Sequence, residues 1–349
     1  MRLAYVYPEE LPSKKARAVS VLNTACNLSK YIDFTLIYEK SGMLDCDINT
    51  IQIKKKFFLR SNKIFHLNLT KYIDQFDYFY VRHLKTAEFL IKKKKKVVYE
   101  VHEIFSEQNY KVKDLEKYVL KNATGLVFIN EFLANYTKKK FNVTQNLKII
   151  RNGCDFKFGY VHKDFSDIDA IYYIGSFQRW KGVEFLIEAI NKTNYKLCIV
   201  GDGPQKKELQ KKAKKNIEFK GYMEYNEIKN LLRRVKLAVI PNIKSISTKF
   251  STPIKLYEYM RASCIVLAPD IPTIREIVKD GENGFLFEIE NQKSFLEKLN
   301  YILSLDKEKL KQISKNAYES VKYFTWDNRA KQIVSFIKEL DEKNNISSS

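Results

Sequence analysis

Several motifs that identify common enzyme classes are missing from this sequence. It contains no Walker A motif, no G-x-G-x-x-G and no G-x-S-x-G, so NTPase, dehydrogenase and serine hydrolase functions lose their most specific support. His102 is followed by Glu103, but no second histidine stands where the motif H-E-x-x-H requires one. The sequence therefore does not indicate a zinc protease.

Cysteine is sparse, and long apolar runs are missing. The five cysteines are scattered and form no C-x-x-C pair, which argues against a zinc site and favours a reducing compartment. No run approaches the ~20 apolar residues that a membrane-spanning helix needs. The N-terminus, MRLAYVYPEE, looks like a first strand rather than a signal peptide. We therefore expect a cytoplasmic protein.

Positive charge is abundant, with a formal net charge of +21 at pH 7. Lysines cluster in the segments 54–56, 92–96, 138–140 and 206–215. Such a field attracts nucleic acid, anionic lipid or a phosphorylated substrate. Solvated lysine-rich faces account for the charge equally well, because net charge bears on association and not on fold.

Strand and helix patterns alternate along the 349 residues, which predicts two α/β domains, each with a parallel sheet and right-handed crossovers. The predicted strands cover residues 2–7, 34–38, 78–81, 97–101, 125–129 and 147–150, then 171–174, 196–200, 217–219, 237–241, 264–268 and 284–287. We predict domains at 1–160 and 161–325, a C-terminal helix at 326–342 and a disordered tail at 343–349. Ligands of such sheets bind at the carboxyl ends of the strands, in a cleft between the two domains.

The stretch 251–276 is the strongest candidate for binding an anion. Thr252 is a plausible N-cap, and Pro253 fits the first helical position, where its missing N–H costs nothing. The free amides at the start of this helix would hold a phosphate. Glu258 lies in the second helical turn and could accept a hydrogen bond from a hydroxyl on the same ligand. By themselves these residues also fit an ordinary capped helix.

Basic and glycine-rich loops follow other strands of the second domain. Gly175 opens a loop that carries Arg179 and Lys181 ahead of a helix, which suits the developing charge of a diphosphate leaving group. Gly201 starts a tight turn after the next strand. A flat ring could stack near Tyr222, at the end of the strand after that. Taken singly, these loops are equally consistent with plain turns.

In order along the chain, these segments resemble a retaining nucleotide-sugar glycosyltransferase of family four with the two-domain GT-B fold. The ordered set is GSFQRWKG, IVGDGP, FKGYM, PIKLYEYM, PDIPTIREIV and DGENGFLF. The first half adds YEVHEIF and RNGCD, which are also similar to the family's pattern. The last predicted helix resembles the one that crosses back onto the N-terminal domain.

The resemblance implies roles that composition and spacing do not. The implied catalytic residues are His102, near the transferred sugar, with Arg179 and Lys181 at the diphosphate. The implied donor-binding residues are Gly175, Ser176, Gly201, Tyr222, Met223, Thr252, Pro253, Ile254, Lys255 and Glu258, of which Glu258 would bind the ribose hydroxyls. Lys15 and Arg17 lie in the loop where the acceptor usually docks. No cofactor or metal is expected, since fixed cations and amides take the place of a metal.

Two positions depart from the family's pattern. The first glutamate of its E-x7-E motif would be residue 250, which is Phe250 here. An arginine often follows the glycine of the lysine loop, where this chain has Ser176. Arg179 is our candidate to supply that missing charge.

The expected function is transfer of a sugar from a nucleotide-diphosphate sugar to a hydroxyl of a glycan or lipid-linked acceptor. By analogy the setting is bacterial surface polysaccharide synthesis, and the basic, aromatic N-terminal half suits the anionic inner face of a plasma membrane. A nucleotide-sugar 2-epimerase of the same fold is an alternative. A basic nucleic-acid-binding protein would explain the charge but not the ordered motifs, so no nucleic-acid partner is expected.

Overall fold

The computed structural model describes residues 1–13, 16–40, 42–53, 62–144, 146–156 and 159–348. The chain forms two compact units. The first unit comprises Met1–Gly153 together with Trp326–Ser349, and the second comprises Cys154–Thr325.

The first unit contains a parallel sheet of seven strands in the order β3-β2-β1-β4-β5-β6-β7. The strands are β1 (Arg2–Leu11), β2 (Asp33–Lys40), β3 (Thr50–Ile53), β4 (Tyr78–Val81), β5 (Lys96–Val101), β6 (Gly125–Phe128) and β7 (Leu147–Ile149). The helices between them are α1 (Ala16–Leu28), α2 (Asn62–Leu69), α3 (Leu84–Lys92), α4 (Phe105–Gln108), α5 (Lys113–Asn122) and α6 (Glu131–Phe141). Every residue of β4 and β6 is buried, as expected for a parallel sheet covered on both faces.

The second unit contains a parallel sheet of six strands in the order β10-β9-β8-β11-β12-β13. The strands are β8 (Ile171–Ile174), β9 (Leu197–Val200), β10 (Ile217–Gly221), β11 (Leu237–Val239), β12 (Ile265–Pro269) and β13 (Phe285–Phe287). The helices are α7 (Val183–Ile190), α8 (Lys206–Lys212), α9 (Tyr225–Leu232), α10 (Ile246–Phe250), α11 (Ile254–Arg261), α12 (Pro272–Arg275), α13 (Gln292–Ser304) and α14 (Lys307–Val321).

The last helix, α15 (Trp326–Ser348), belongs to the first unit and packs against α1. Its buried face carries Ala330, Ile333 and Ile337, which join the same hydrophobic core as Tyr5 of β1. The two sheets and the return of α15 confirm the predicted fold class, a pair of tandem Rossmann-like domains in which the C-terminal helix returns to the first.

The predicted boundary at residue 160 differs from the structure, where the second unit begins at Cys154. The amide of Cys154 donates to the carbonyl of Phe324 at 2.9 Å. The amide of Val161 donates to Oγ of Ser263 at 3.0 Å. These contacts tie residues 154–161 to the second unit, although this stretch shows no periodic pattern.

Further differences concern local elements. Helix α15 continues to Ser348, so the expected disordered tail is wrong up to that residue. No glycine or proline interrupts this segment, which explains why the helix can continue. Strand β3 and helices α2 and α10 were not predicted. Cys26 and Cys46 form a disulfide bond, although they are 20 residues apart and belong to no recognisable cysteine motif. This bond contradicts the expectation that the cysteines are reduced.

Candidate active site

The carboxyl ends of β8, β9 and β10 are joined through the backbone of three glycines. The amide of Gly175 donates to the carbonyl of Val200 at 2.9 Å, and the amide of Gly201 donates to that of Gly221 at 2.8 Å. A Cβ atom at residue 201 would collide with the carbonyl of Gly175. Glycine at Gly201 therefore allows the two loops to cross in contact.

The basic loop after β8 forms a short 3-10 turn at Arg179–Lys181 and then enters α7. Its position is held by the loop after β11, because the amide of Ile243 donates to the carbonyl of Trp180 at 3.2 Å. Lys181 is partly buried, and its Nζ lies 3.7 Å from the centre of the Trp180 ring. Burial lowers the pKa of Lys181 to about 8. Arg179 is exposed.

The start of α11 differs in one detail from the sequence prediction. Thr252 is not the N-cap, because its hydroxyl donates to the carbonyl of Thr273 at 3.2 Å. The cap residue is Pro253, and no side chain caps the helix there. The first amides of α11, which include those of Ile254 and Lys255, are therefore available to an anion. Helix N-termini bind phosphate in this way in P-loops and similar sites.

Lys255 places its amine directly beside Gly175. Its Nζ occupies the space that a side chain at residue 175 would need, and it lies 4.2 Å from the centre of the Tyr173 ring. This nitrogen is buried and has no hydrogen-bond partner among the described residues. Burial, reinforced by the charge of Lys181, lowers the pKa of Lys255 well below its usual range. Two amines therefore lie near the free start of α11, and the Glu258 carboxylate is the opposite charge that acts on Lys255 there.

Glu258 lies one turn further along α11. Its Oε1 accepts a hydrogen bond from the hydroxyl of Tyr225 at 3.3 Å, and the Tyr225 ring stacks on Phe156. Burial raises the pKa of Glu258, while the nearby Lys255 acts in the opposite direction. A carboxylate beside a phosphate-binding helix end is suited to accept hydrogen bonds from sugar hydroxyls on the same ligand.

The remaining donor-side predictions lie around this group. Ser176 is exposed, and its carbonyl accepts a hydrogen bond from Tyr173 at 2.8 Å. Tyr222 and Met223 follow directly after β10; Tyr222 is 52% exposed, whereas Met223 packs on the core. Phe250, at the position where the family has its first glutamate, is fully buried at the end of α10.

In the first unit, His102 follows β5 and belongs to a buried polar chain. Its Nε2 contacts Oε1 of Glu100, and the same oxygen accepts from Nη2 of Arg329 at 2.6 Å. Burial and the charge of Arg82 lower the pKa of His102 to about 4. Burial alone would raise the pKa of Glu100, but Arg329 and His102 together lower it. At neutral pH the imidazole is therefore neutral, and its Nε2–H donates to the Glu100 carboxylate.

Of the two predicted acceptor residues, Arg17 lies within the described residues and Lys15 does not. Arg17 is exposed and pairs with Glu9 at 3.1 Å, and Glu9 also accepts from the hydroxyl of Tyr7 at 3.0 Å. Lys15 lies outside the described residues, as does the basic, aromatic segment 54–58.

Sequence reasoning missed the residues that surround His102. Glu100 and Arg82 stand inside or next to apolar strand patterns, and Arg329 lies on the amphipathic α15. The sequence did contain one signal, because Glu100 is a charged residue within an otherwise apolar strand. Residues 97–101 of this strand are all buried.

The family model described as glycosyl transferases group 1 matches residues 162–320. This segment is a group 1 glycosyltransferase domain. It belongs to a family of enzymes that transfer sugars, and it covers most of the second unit, including the basic loop and α11.

One curated relative and two solved structures resemble this chain. An uncharacterized glycosyltransferase of Methanocaldococcus jannaschii is 26% identical over 65% of the chain, and the match spans 62% of that relative's length. HepE of Anabaena, solved in complex with UDP, superposes with a TM-score of 0.78 at 16% identity over 97% of this chain and 100% of its own.

A second solved structure, sucrose-phosphate synthase from Thermosynechococcus elongatus, has a TM-score of 0.79, also at 16% identity, over 98% of this chain and 99% of its own. At this level of identity the two structures show the fold of the chain alone.

The described residues contain neither a cluster of metal ligands nor a helix that could span a membrane. No group of three or more His, Cys, Asp or Glu side chains in these ranges could hold a metal ion, and independence from metal stays a prediction. None of the described helices has the length and apolar character needed to cross a bilayer.

Proposed function

We propose that the protein transfers a sugar from a nucleotide-diphosphate sugar to a hydroxyl group, with retention at the anomeric carbon. The second unit binds the donor. In this proposal Lys181, Lys255 and the amides at the start of α11 hold the diphosphate, and Arg179 adds a further cation. Glu258 binds the ribose hydroxyls, and the backbone around Tyr222 and Met223 holds the base. No metal takes part, because fixed cations stabilise the departing diphosphate.

The observation that carries this proposal is the buried, unpartnered amine of Lys255. A polar group buried without a partner costs about 1–3 kcal/mol, and here a second amine, Lys181, increases the cost. An anion that bridges both amines would remove this cost. The free end of α11, beside Gly175, is the position at which a phosphate would satisfy all of these donors.

On the acceptor side, the proposal assigns His102 and Arg17 to the first unit. The acceptor is a glycan or a lipid-linked sugar of a surface polysaccharide, and the enzyme works on the anionic inner face of the membrane. The net charge of +21 supports attraction to such a surface. Association with vesicles should then increase with their content of anionic lipid and decrease with salt.

A donor panel tests the proposal directly. The melting temperature of the full chain is measured with UDP, GDP and ADP and with their sugar conjugates, and any nucleotide that raises it is followed by an assay for nucleotide release. Stabilisation should follow the ligand concentration as ligand linkage requires. The double variant Lys181→Met, Lys255→Met should lose the response, whereas Lys293→Met, an exposed lysine of α13, should keep it.

Two results would contradict the proposal. The first is that no nucleotide raises the melting temperature of the wild-type protein. The second is that NMR of the incubated donor shows an epimer without an acceptor, which would favour the epimerase alternative. Inversion at the anomeric carbon of the product would contradict retention only.

A further inference from the structure

Three strands of the first unit bring a set of polar side chains to one face of the sheet. Val6 of β1 pairs in register with Val81 of β4, and Val81 pairs with Tyr99 of β5. The next residue on each strand, Tyr7, Arg82 and Glu100, therefore shares the opposite face at the carboxyl edge. The contact of Tyr5 with Tyr80, with ring centres 5.0 Å apart, shows that this face is closely packed just below.

Arg82 is unusual within this set. Its Nη1 is buried and has no hydrogen-bond partner among the described residues. Glu100 is adjacent in register, yet its Oε1 is taken by Arg329 and His102, and its Oε2 is buried without a hydrogen bond. A guanidinium with an unsatisfied buried donor is costly. A buried donor without a partner calls for an explanation, such as a functional role or a bound ion.

The charges around Arg82 do not neutralise it. Glu100 is matched by Arg329, and both side chains are 1% exposed. Glu9 is matched by Arg17. His102 is neutral near pH 7, with the proton on Nε2, so its Nδ1 can accept a hydrogen bond. Among the described residues, the Glu100 carboxylate therefore faces both Arg329 and Arg82, and the carboxyl edge of this sheet combines an excess of positive charge with one neutral acceptor.

We propose that Arg82 binds an anionic group, a carboxylate or a phosphate, on the acceptor, while Nδ1 of His102 accepts a hydrogen bond from a hydroxyl of a bound sugar. The proposal rests on the proposed function and narrows its acceptor to acidic sugars. Guanidinium is the side chain best suited to this contact, because it donates two parallel hydrogen bonds to either anion.

A binding experiment tests this without turnover. The full chain is saturated with UDP so that the amines of the second unit are occupied, and its melting temperature is then followed with glucose, glucuronate and glucose 6-phosphate at constant ionic strength. The two anions should stabilise the wild-type protein, and glucose should not. Arg82→Gln should remove this discrimination, whereas Arg2→Gln, an exposed arginine at the start of β1, should keep it.

The melting temperature of Arg82→Gln without ligand shows whether Arg82 has a binding role or a structural role. Because Arg82 leaves a buried donor unpaired, Arg82→Gln should melt at the same temperature as the wild type or higher. A clear decrease, with anion discrimination retained, would overturn the proposal and make Arg82 a structural residue. Equal responses of wild type and Arg82→Gln to the anions would also overturn it.

A transfer assay forms the second arm, with the donor that the panel identifies. Alkyl glucoside, alkyl glucuronide and alkyl glucose 6-phosphate serve as matched acceptors, and nucleotide release is measured. Arg82→Gln should raise KM for the acidic acceptors by about tenfold or more, with a smaller effect on kcat. A preference for only one of the two acidic acceptors would show whether the anion is a carboxylate or a phosphate.

If the wild type binds UDP but prefers the neutral glucoside, the inference about Arg82 fails while the proposed donor chemistry stands. If none of UDP, GDP and ADP binds, the proposed function fails first.

Discussion

The guanidinium of Arg329 donates to Glu100 at 2.6 Å, across a sequence separation of 229 residues. Arg329 also donates to the carbonyl of Ile150 at 2.6 Å and to the hydroxyl of Thr24 at 3.4 Å. One side chain of α15 thereby ties together β5, the end of β7 and α1. Since the same Glu100 oxygen contacts His102, the last helix of the chain also orients the imidazole of the first unit.

Removal of Arg329 should therefore destabilise the first unit strongly. Arg329→Met leaves the Glu100 charge buried and unpaired, which typically costs about 3–5 kcal/mol. Lys331→Met is the matched control on the same helix, because Lys331 and Asp327 form an exposed pair at 3.0 Å whose loss should cost about 1 kcal/mol or less. Urea unfolding measures both variants, and equal costs would show that the buried pair has no special role.

Lys255→Met should separate stability from binding. The thioether side chain fills similar space without an amine, so the variant should unfold at a higher denaturant concentration than the wild type. Its affinity for UDP should be at least about tenfold weaker, since one charged contact to the phosphates is lost. Calorimetric titration gives the affinity. A variant with wild-type affinity would mean that the amine does not reach the diphosphate.

The pH dependence follows from Lys181. Its folded pKa of about 8 is below the unfolded value of 10.5, so the unfolded chain binds more protons between these values. This residue therefore makes stability increase as the pH rises from 8 to 10.5. Nucleotide affinity should change in the opposite direction, because the diphosphate needs the protonated amine.

Calorimetry at pH 9 in two buffers of different ionisation enthalpy measures this proton directly. The wild type should take up protons when UDP binds, and Lys181→Met should take up about one proton fewer. Identical uptake by both proteins would contradict the assignment of Lys181 to the diphosphate.

Glu258→Ala tests the ribose contact when it is combined with a change in the ligand. If Glu258 binds the ribose hydroxyls, the variant should bind UDP more weakly than the wild type but should bind 2′,3′-dideoxy-UDP almost equally well. The coupling between the two changes isolates the contact from general damage to the site. Independent effects, or normal UDP binding by Glu258→Ala, would show that the assignment is wrong.

Arg179→Ala examines whether this arginine supplies the charge that Ser176 lacks. Turnover should fall by about tenfold or more, in line with the loss of a charge donor at the leaving group. Arg179 is exposed, so the melting temperature should stay close to that of the wild type. Wild-type turnover would remove Arg179 from the mechanism.

Most of the fold was predictable from local pattern. Strands such as Tyr78–Val81 and helices such as Val183–Ile190 have the predicted bounds, because apolar period and flanking turns are local properties of the chain. The start of α11 could also be placed, since Pro253 marks a helix beginning. Residues 154–160 were placed in the wrong unit, because the contacts that hold this stretch, from Cys154 to Phe324 and from Val161 to Ser263, involve residues far apart in the sequence.

By itself, the sequence determined the alternation of strands and helices, the two parallel sheets, the loop that carries Lys181 and the helix that carries Glu258. Only the tertiary structure decided that the Lys255 amine lies beside Gly175, that Glu100 is paired by Arg329 and that Nη1 of Arg82 has no hydrogen-bond partner among the described residues. The physical reason is the distance along the chain over which each property is decided. Periodicity is set by neighbours along the chain, whereas the pairing or isolation of a buried charge depends on side chains that packing brings together from far apart.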